Sequence, residues 1–148
     1  MSYLIDTNVF LRVANPADPR RPECVAALDH LRSIDDDSFT CAQILIEYWV
    51  AATRPADVNG LGLDAAQTGR NLNLIVSMFP CLPEPSDMAK RWRQVVETNE
   101  VLGKQARDAR IVALMLAHNV THILTLNSAD FARYPEITTI TPSESLSR

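Results

Sequence analysis

The stretch "ARDARIVALMLAHNVTHILTL" (residues 106–126) constrains the fold more than any other part of the chain. Its first fourteen residues carry the strongest helical spacing of apolar side chains, and they run directly into a β-branched segment, "THILTL". A helix feeding straight into a strand is half of an αβ crossover unit, and the same alternation recurs upstream. "YLID" (3–6), "SFTCA" (38–42) and "TTITP" (138–142) read as further strands. "TNVFLRVAN" (7–15), "PECVAALDHLRS" (22–33), "QILIEYWVAATR" (43–54), residues 64–79 and "SDMAKRWRQVVETNEV" (86–101) read as helices. Within them, Cys24, Ala27, Leu28 and Leu31 fall on one face, and so do Leu72, Ile75, Val76 and Phe79. Asp6 or Thr7, and Ser86 or Asp87, stand at N-cap positions. "NPADPRRPE" (15–23), "PCLPEPSD" (80–87) and "NSADFARYP" (127–135) read as loops. Strands alternating with helices predict an α/β fold with a mainly parallel central sheet.

At 148 residues the chain fits one domain, 1–148, able to bury its own core. With 47% hydrophobic and 22% charged residues it is ordinary for a globular protein. No apolar run reaches the ~18 residues of a membrane span, and the N-terminus lacks a signal-peptide pattern, so a cytoplasmic protein is expected. Cys24, Cys41 and Cys81 are odd in number and far apart, which predicts buried free thiols. The net charge of -4 argues against nonspecific polyanion binding over the whole surface, while leaving a local nucleic-acid site open.

In parallel α/β folds ligands collect at the carboxyl ends of the strands. Asp6 ends the first strand, and Asn127 and Asp130 follow the penultimate one. Glu47 has Ile44, Val50 and Ala51 at neighbouring turns, and Asp108 has Ile111, Val112 and Met115, so both acids are expected on apolar helix faces. Burying a carboxylate costs several kcal/mol unless it is paired or binds a metal. If these acids converge at ~5 Å, each like-charge pair costs roughly 3 kcal/mol at an effective dielectric of about 20. All-oxygen ligation then points to Mg²⁺ or Mn²⁺ and away from structural zinc. Each residue also has a purely structural reading: Asp6 as a helix cap, Glu47 and Asp108 in ion pairs with Arg54, Arg107 or Arg110, and Asp130 as a turn residue.

Taken in order, "LIDTNVFL", "ILIEYW" and "GKQARDARIVALMLAHNVTHILTLNSADFARYP" resemble the PIN-domain family, in particular its VapC-type toxin ribonucleases, from Tyr3 to about Pro142. The matching positions are Asp6-Thr7-Asn8, Glu47, Asp108-Ala109 and the loop from Thr125 to Phe131. The resemblance implies a three-layer α/β/α sandwich. It also implies a Mg²⁺- or Mn²⁺-dependent endoribonuclease whose Asp6, Glu47, Asp108 and Asp130 hold the metal and whose metal-activated water cleaves RNA. A toxin role with a cognate antitoxin partner and a homodimer follow from the same resemblance. One departure is Asn127, where many relatives carry Asp, so the fourth acid is assigned to Asp130. Thr7, Asn8, Thr125 and Asn127 are expected to position substrate or water, and Lys104 and Arg107 to steer RNA phosphates.

Other features carry less. His118 and His122 straddle a helix end and a strand start, without the Glu of a zinc helix. Trp49 and Trp92 read as core or interface anchors, since no aromatic cluster surrounds either. A non-catalytic PIN-like adaptor remains an alternative, as does an Asp-dependent phosphatase with Asp6 as nucleophile. The second wants an acid at position 8, which is Asn.

Overall fold

The computed structural model describes residues 1–148. Five parallel strands form the sheet: β1 (Ser2–Ile5), β2 (Asp37–Cys41), β3 (Cys81–Leu82), β4 (His122–Leu124) and β5 (Thr138–Ile140). Their spatial order is β3-β2-β1-β4-β5, so the chain winds outward from β1 in one direction and then returns to wind in the other. Right-handed crossovers place the helices of the two halves on opposite faces, giving the α/β/α sandwich. Helices α1 (Thr7–Ala14), α2 (Arg21–Ser33), α3 (Ala42–Thr53) and α4 (Ala65–Met78) precede β3, with α1 packed on both α2 and α3. Helices α5 (Met88–Thr98) and α6 (Ala106–Ala117) follow it and pack together, and α7 (Pro142–Ser145) closes against α2.

The sequence explains this layering. Tyr3, Leu4 and Ile5 are all 0% exposed, as a central parallel strand covered on both faces requires. On α6 the run Ile111–Met115 is buried throughout, because α5 covers the side that the sheet does not. That helix ends through Asn119 in the left-handed region (φ 55), a conformation Asn tolerates, and this lets the chain turn into β4 within a few residues.

Several expectations need correction. The segment 80–87 is not wholly loop: Cys81 and Leu82 pair with Thr40 and Cys41. A two-residue strand shows no periodicity, and its flanking prolines suit an edge that needs few donors. This edge position also leaves Cys81 exposed, whereas Cys24 and Cys41 are buried as expected. Val76 is 42% exposed although Ile75 and Phe79 are buried, because the stripe of α4 facing the core is narrower than its apolar residues suggest. Asp87 does stand at the N-cap of α5, but its carboxylate pairs with Arg91 at 2.8 Å and makes no cap hydrogen bond. Trp92 donates its indole N–H to the Ala106 carbonyl at 2.7 Å, pinning α5 to the start of α6.

Candidate active site

The winding reverses between β1 and β4, and there the carboxyl ends of two adjacent strands diverge into separate connections. Such a switch point leaves a crevice that helices do not fill. Asp6 sits at its floor, 9% exposed, and its N–H extends the ladder to the Leu124 carbonyl at 2.9 Å. It is indeed the N-cap of α1, with Oδ1 accepting from the Thr7 N–H at 2.8 Å. The cap fixes the carboxylate without using it up. Oδ2 accepts from the Thr125 hydroxyl at 2.8 Å and from the Asn8 amide at 3.3 Å. Asn8 also donates to Thr125 Oγ1 at 3.2 Å and accepts from the Leu126 N–H at 3.2 Å, while Thr125 Oγ1 accepts from the Asn127 N–H at 3.0 Å. The segments after β1 and β4 are thereby laced together around one carboxylate.

Glu47 reaches the same crevice from α3. Its face is less apolar-packed than its spacing suggests: Ile44 is buried, but Val50 is 52% exposed and Glu47 itself is half-buried at an opening. The Thr7 hydroxyl donates to Oε2 at 3.3 Å and Gln43 Nε2 donates to Oε1 at 3.1 Å. Thr7 therefore holds two acids at once, Asp6 through its backbone and Glu47 through its side chain. Asp108 lies in the first turn of α6, where the exposed N–H groups favour a negative charge. Below it Ile111, Val112 and Met115 are buried as expected. Asp130 is exposed in a 3-10 turn, Ser128–Phe131, and its N–H donates to the Asn127 carbonyl at 3.1 Å.

None of the four acids is in an ion pair, so the structural reading of Glu47 and Asp108 as partners of nearby arginines fails. Arg110 instead pairs with Glu84, and Arg54 donates to the Asn59 carbonyl. The acids feel one another. Burial, with repulsion from Asp130, Asp6 and Glu47, pushes Asp108 up to about 6 from 3.8. Asp6 also rises to about 6: burial outweighs the hydrogen bonds from Thr125 and Thr7, and repulsion from Glu47 and Asp130 adds to it. Four distant segments thus deliver negative charge to one rim, and none of the four acids forms an ion pair with a basic side chain.

No three Asp, Glu, His or Cys side chains come close enough to cage a bare ion. A hard divalent cation held by these acids would therefore have to keep part of its water shell, as Mg²⁺ commonly does. His118 takes no part, its ring bonded to the Pro83 carbonyl at 2.7 Å, and His122 lies against Tyr3 with ring centroids 5.1 Å apart.

Beside the acids a cleft of about 710 Å³ opens between α3 and the α5–α6 pair, with Glu47, Arg107 and Trp92 among its walls. Arg107 is therefore placed to meet a ligand there. Lys104 is exposed on the 3-10 turn Gly103–Gln105, just before α6. Asn127 is exposed, and the bonds found for it are those of its backbone to Thr125 and Asp130. Sequence reasoning missed Gln43, which bonds to Glu47 and to the Arg107 carbonyl. The available signal was its position four residues before Glu47 on the same helix.

By sequence, no curated protein matches the chain. Solved structures do match in shape. The Rickettsia felis VapBC2 complex, bound to a DNA fragment from its promoter, aligns with a TM-score of 0.69 at 17% identity, over 95% of this chain and 98% of that one. VapBC-1 from nontypeable Haemophilus influenzae gives 0.69 at 16%, over 97% and 99%. FitAcB from Neisseria gonorrhoeae gives 0.65 at 20%, over 95% and 98%. At these identities the likeness establishes the fold. The PIN domain profile matches residues 3–137, nearly the whole sequence, and on that match the chain belongs to the PIN-domain family.

Proposed function

We propose that the protein is a divalent-metal-dependent endoribonuclease and the toxin of a toxin–antitoxin pair. The observation that carries this reading is the convergence of Asp6, Glu47, Asp108 and Asp130 on one rim, where Glu47 and Asp130 raise the proton affinity of Asp6 and Asp108 and none of the four has an ion-pair partner. Asp6, Glu47 and Asp108, completed by Asp130, would hold Mg²⁺ or Mn²⁺. An ion bound there supplies a water polarised for attack and offsets the charge that develops on the phosphoryl oxygens. The chain's own groups do the positioning. Thr125, Asn8 and the Thr7 N–H keep Asp6 aimed out of the floor, and the Thr7 hydroxyl orients Glu47. Arg107 on the cleft wall, and Lys104 just before the same helix, offer positive charge to the phosphates flanking the scissile one.

The toxin role rests on the structural neighbours, one of which is a toxin–antitoxin complex from Klebsiella pneumoniae. The partner is then an antitoxin whose basic segment covers the acidic rim, and the place of action is the cytoplasm. An exposed apolar stripe on α3 supports a homodimer: Ile46 is 60%, Trp49 37% and Val50 52% exposed. The phosphatase alternative is disfavoured by geometry, since position 8 presents an amide that donates to Asp6 where an acid would be needed.

The test is incubation of the purified protein with labelled RNA in Mg²⁺, in Mn²⁺ and in EDTA. Cleavage should require metal and should vanish in both Asp6→Asn and Asp108→Asn. Equal cleavage by those variants would remove Asp6 and Asp108 from the chemistry and overturn the reading of the rim, and no cleavage by the wild type in either metal would point to an adaptor and not a nuclease.

A further inference from the structure

Gln43 is 8% exposed on the first turn of α3, and both of its amide hydrogens are committed. Nε2 donates to Glu47 Oε1 at 3.1 Å and to the Arg107 backbone carbonyl at 2.8 Å. Its own carbonyl, Oε1, is buried and has no hydrogen-bond partner. An unsatisfied buried acceptor costs about 1–3 kcal/mol, so an apolar residue of the same length would serve the packing better. A costly polar group of this kind needs a reason outside stability.

The two bonds it makes suggest that reason. One grips Glu47 on its own helix. The other crosses to α6 at Arg107, the residue immediately before Asp108. The amide is therefore a strut between two acids that approach the rim from different helices. Thr7 holds the other oxygen of Glu47 at 3.3 Å, so the carboxylate is clasped on both sides and its orientation is set. Without the strut, Glu47 would keep one weak bond on a half-open helix face and would sample several rotamers.

We infer that Gln43 is a positioning residue that fixes the Glu47 carboxylate relative to Asp108 and so sets the affinity of the rim for a divalent ion. This rests on the reading of the rim as a metal-dependent site. Outer-shell partners of this kind change metal affinity about tenfold or more when removed.

Mn²⁺ binding to the full chain, measured by titration calorimetry, tests it in four proteins: wild type, Gln43→Met, Glu47→Gln and the double variant. Gln43→Met should weaken Mn²⁺ about tenfold while its metal-free Tm stays equal to wild type or rises. In the Glu47→Gln background the same change should have no further effect on Mn²⁺, because the group it acts through is already altered. Raising Mn²⁺ should restore RNA cleavage by Gln43→Met, with KM for RNA unchanged. Wild-type Mn²⁺ affinity in Gln43→Met overturns the inference, and so does an equal loss in both backgrounds, since each would mark a general packing role. A wild type that binds no Mn²⁺ overturns the metal reading together with the inference, and is distinct from a wild type that binds while Gln43→Met binds equally.

Discussion

Asp6 and Asp108 are held in a state that the fold alone disfavours. Both have pKa values near 6 against 3.8 in a solvated chain, chiefly through burial. A carboxyl group raised in this way binds its proton more tightly when folded. Its contribution to stability is fully present below about pH 4 and is lost as pH rises through about 6. For Asp6 the loss by neutral pH is on the order of 3 kcal/mol, and the half-open Asp108 adds less. In EDTA, the Tm contribution of these two groups should fall between about pH 4 and pH 6.5, and Asp108→Asn should flatten that fall. At pH 7.5 without metal, Asp108→Asn should melt about 3 °C above wild type if relief of repulsion is worth ~1 kcal/mol. A variant that melts several degrees lower would instead mean that Asp108 supports the fold. Added Mg²⁺ should raise the wild-type Tm at pH 7.5 and leave that of the variant nearly unchanged.

At the scale of elements, the site depends on the lacing between the segments that follow β1 and β4. The Thr125 hydroxyl, 0% exposed, donates to Asp6 and accepts from both Asn8 and Asn127. Thr125→Val keeps the shape but strands these partners, so it should cost about 1–3 kcal/mol in denaturant unfolding and reduce cleavage at fixed Mg²⁺. A change below 0.5 kcal/mol would mean that water replaces the hydroxyl without penalty. This same region shows what could be read in advance. β1, β4, α6 and the positions of Asp6 and Asp108 were legible, because long apolar periods and a charge beside an apolar run are strong signals, whereas Asp130 in its polar loop lacks such a signal and was singled out by the family resemblance. β3 was not, being two residues whose pairing depends on β2, far away in sequence. The strut from Gln43 was equally hidden: its spacing to Glu47 is visible, but its second bond joins residues 64 positions apart. The exposure of Val50 on the Glu47 helix has a related cause, since periodicity identifies an apolar face and cannot say whether this chain or another covers it.

The molecule as a whole leaves the α3 stripe uncovered next to the cleft. If a second copy covers it, sedimentation should give a dimer at micromolar concentration, and Val50→Lys should shift it to monomer with helical content intact. A monomeric wild type would remove the dimer from the reading and leave the nuclease chemistry untouched.

The winding order has a consequence for how the protein is made. β1 is synthesised first, yet one of its two neighbours is β4, the fourth strand to be made, and the acids are spread from Asp6 to Asp130. A chain still emerging from the ribosome holds Asp6 and Glu47 long before Thr125 arrives to lace the crevice. Pairings so distant in sequence form late in folding. The rim is thus left unassembled until translation is nearly done, and whatever it binds meets a finished site only once most of the chain has left the ribosome.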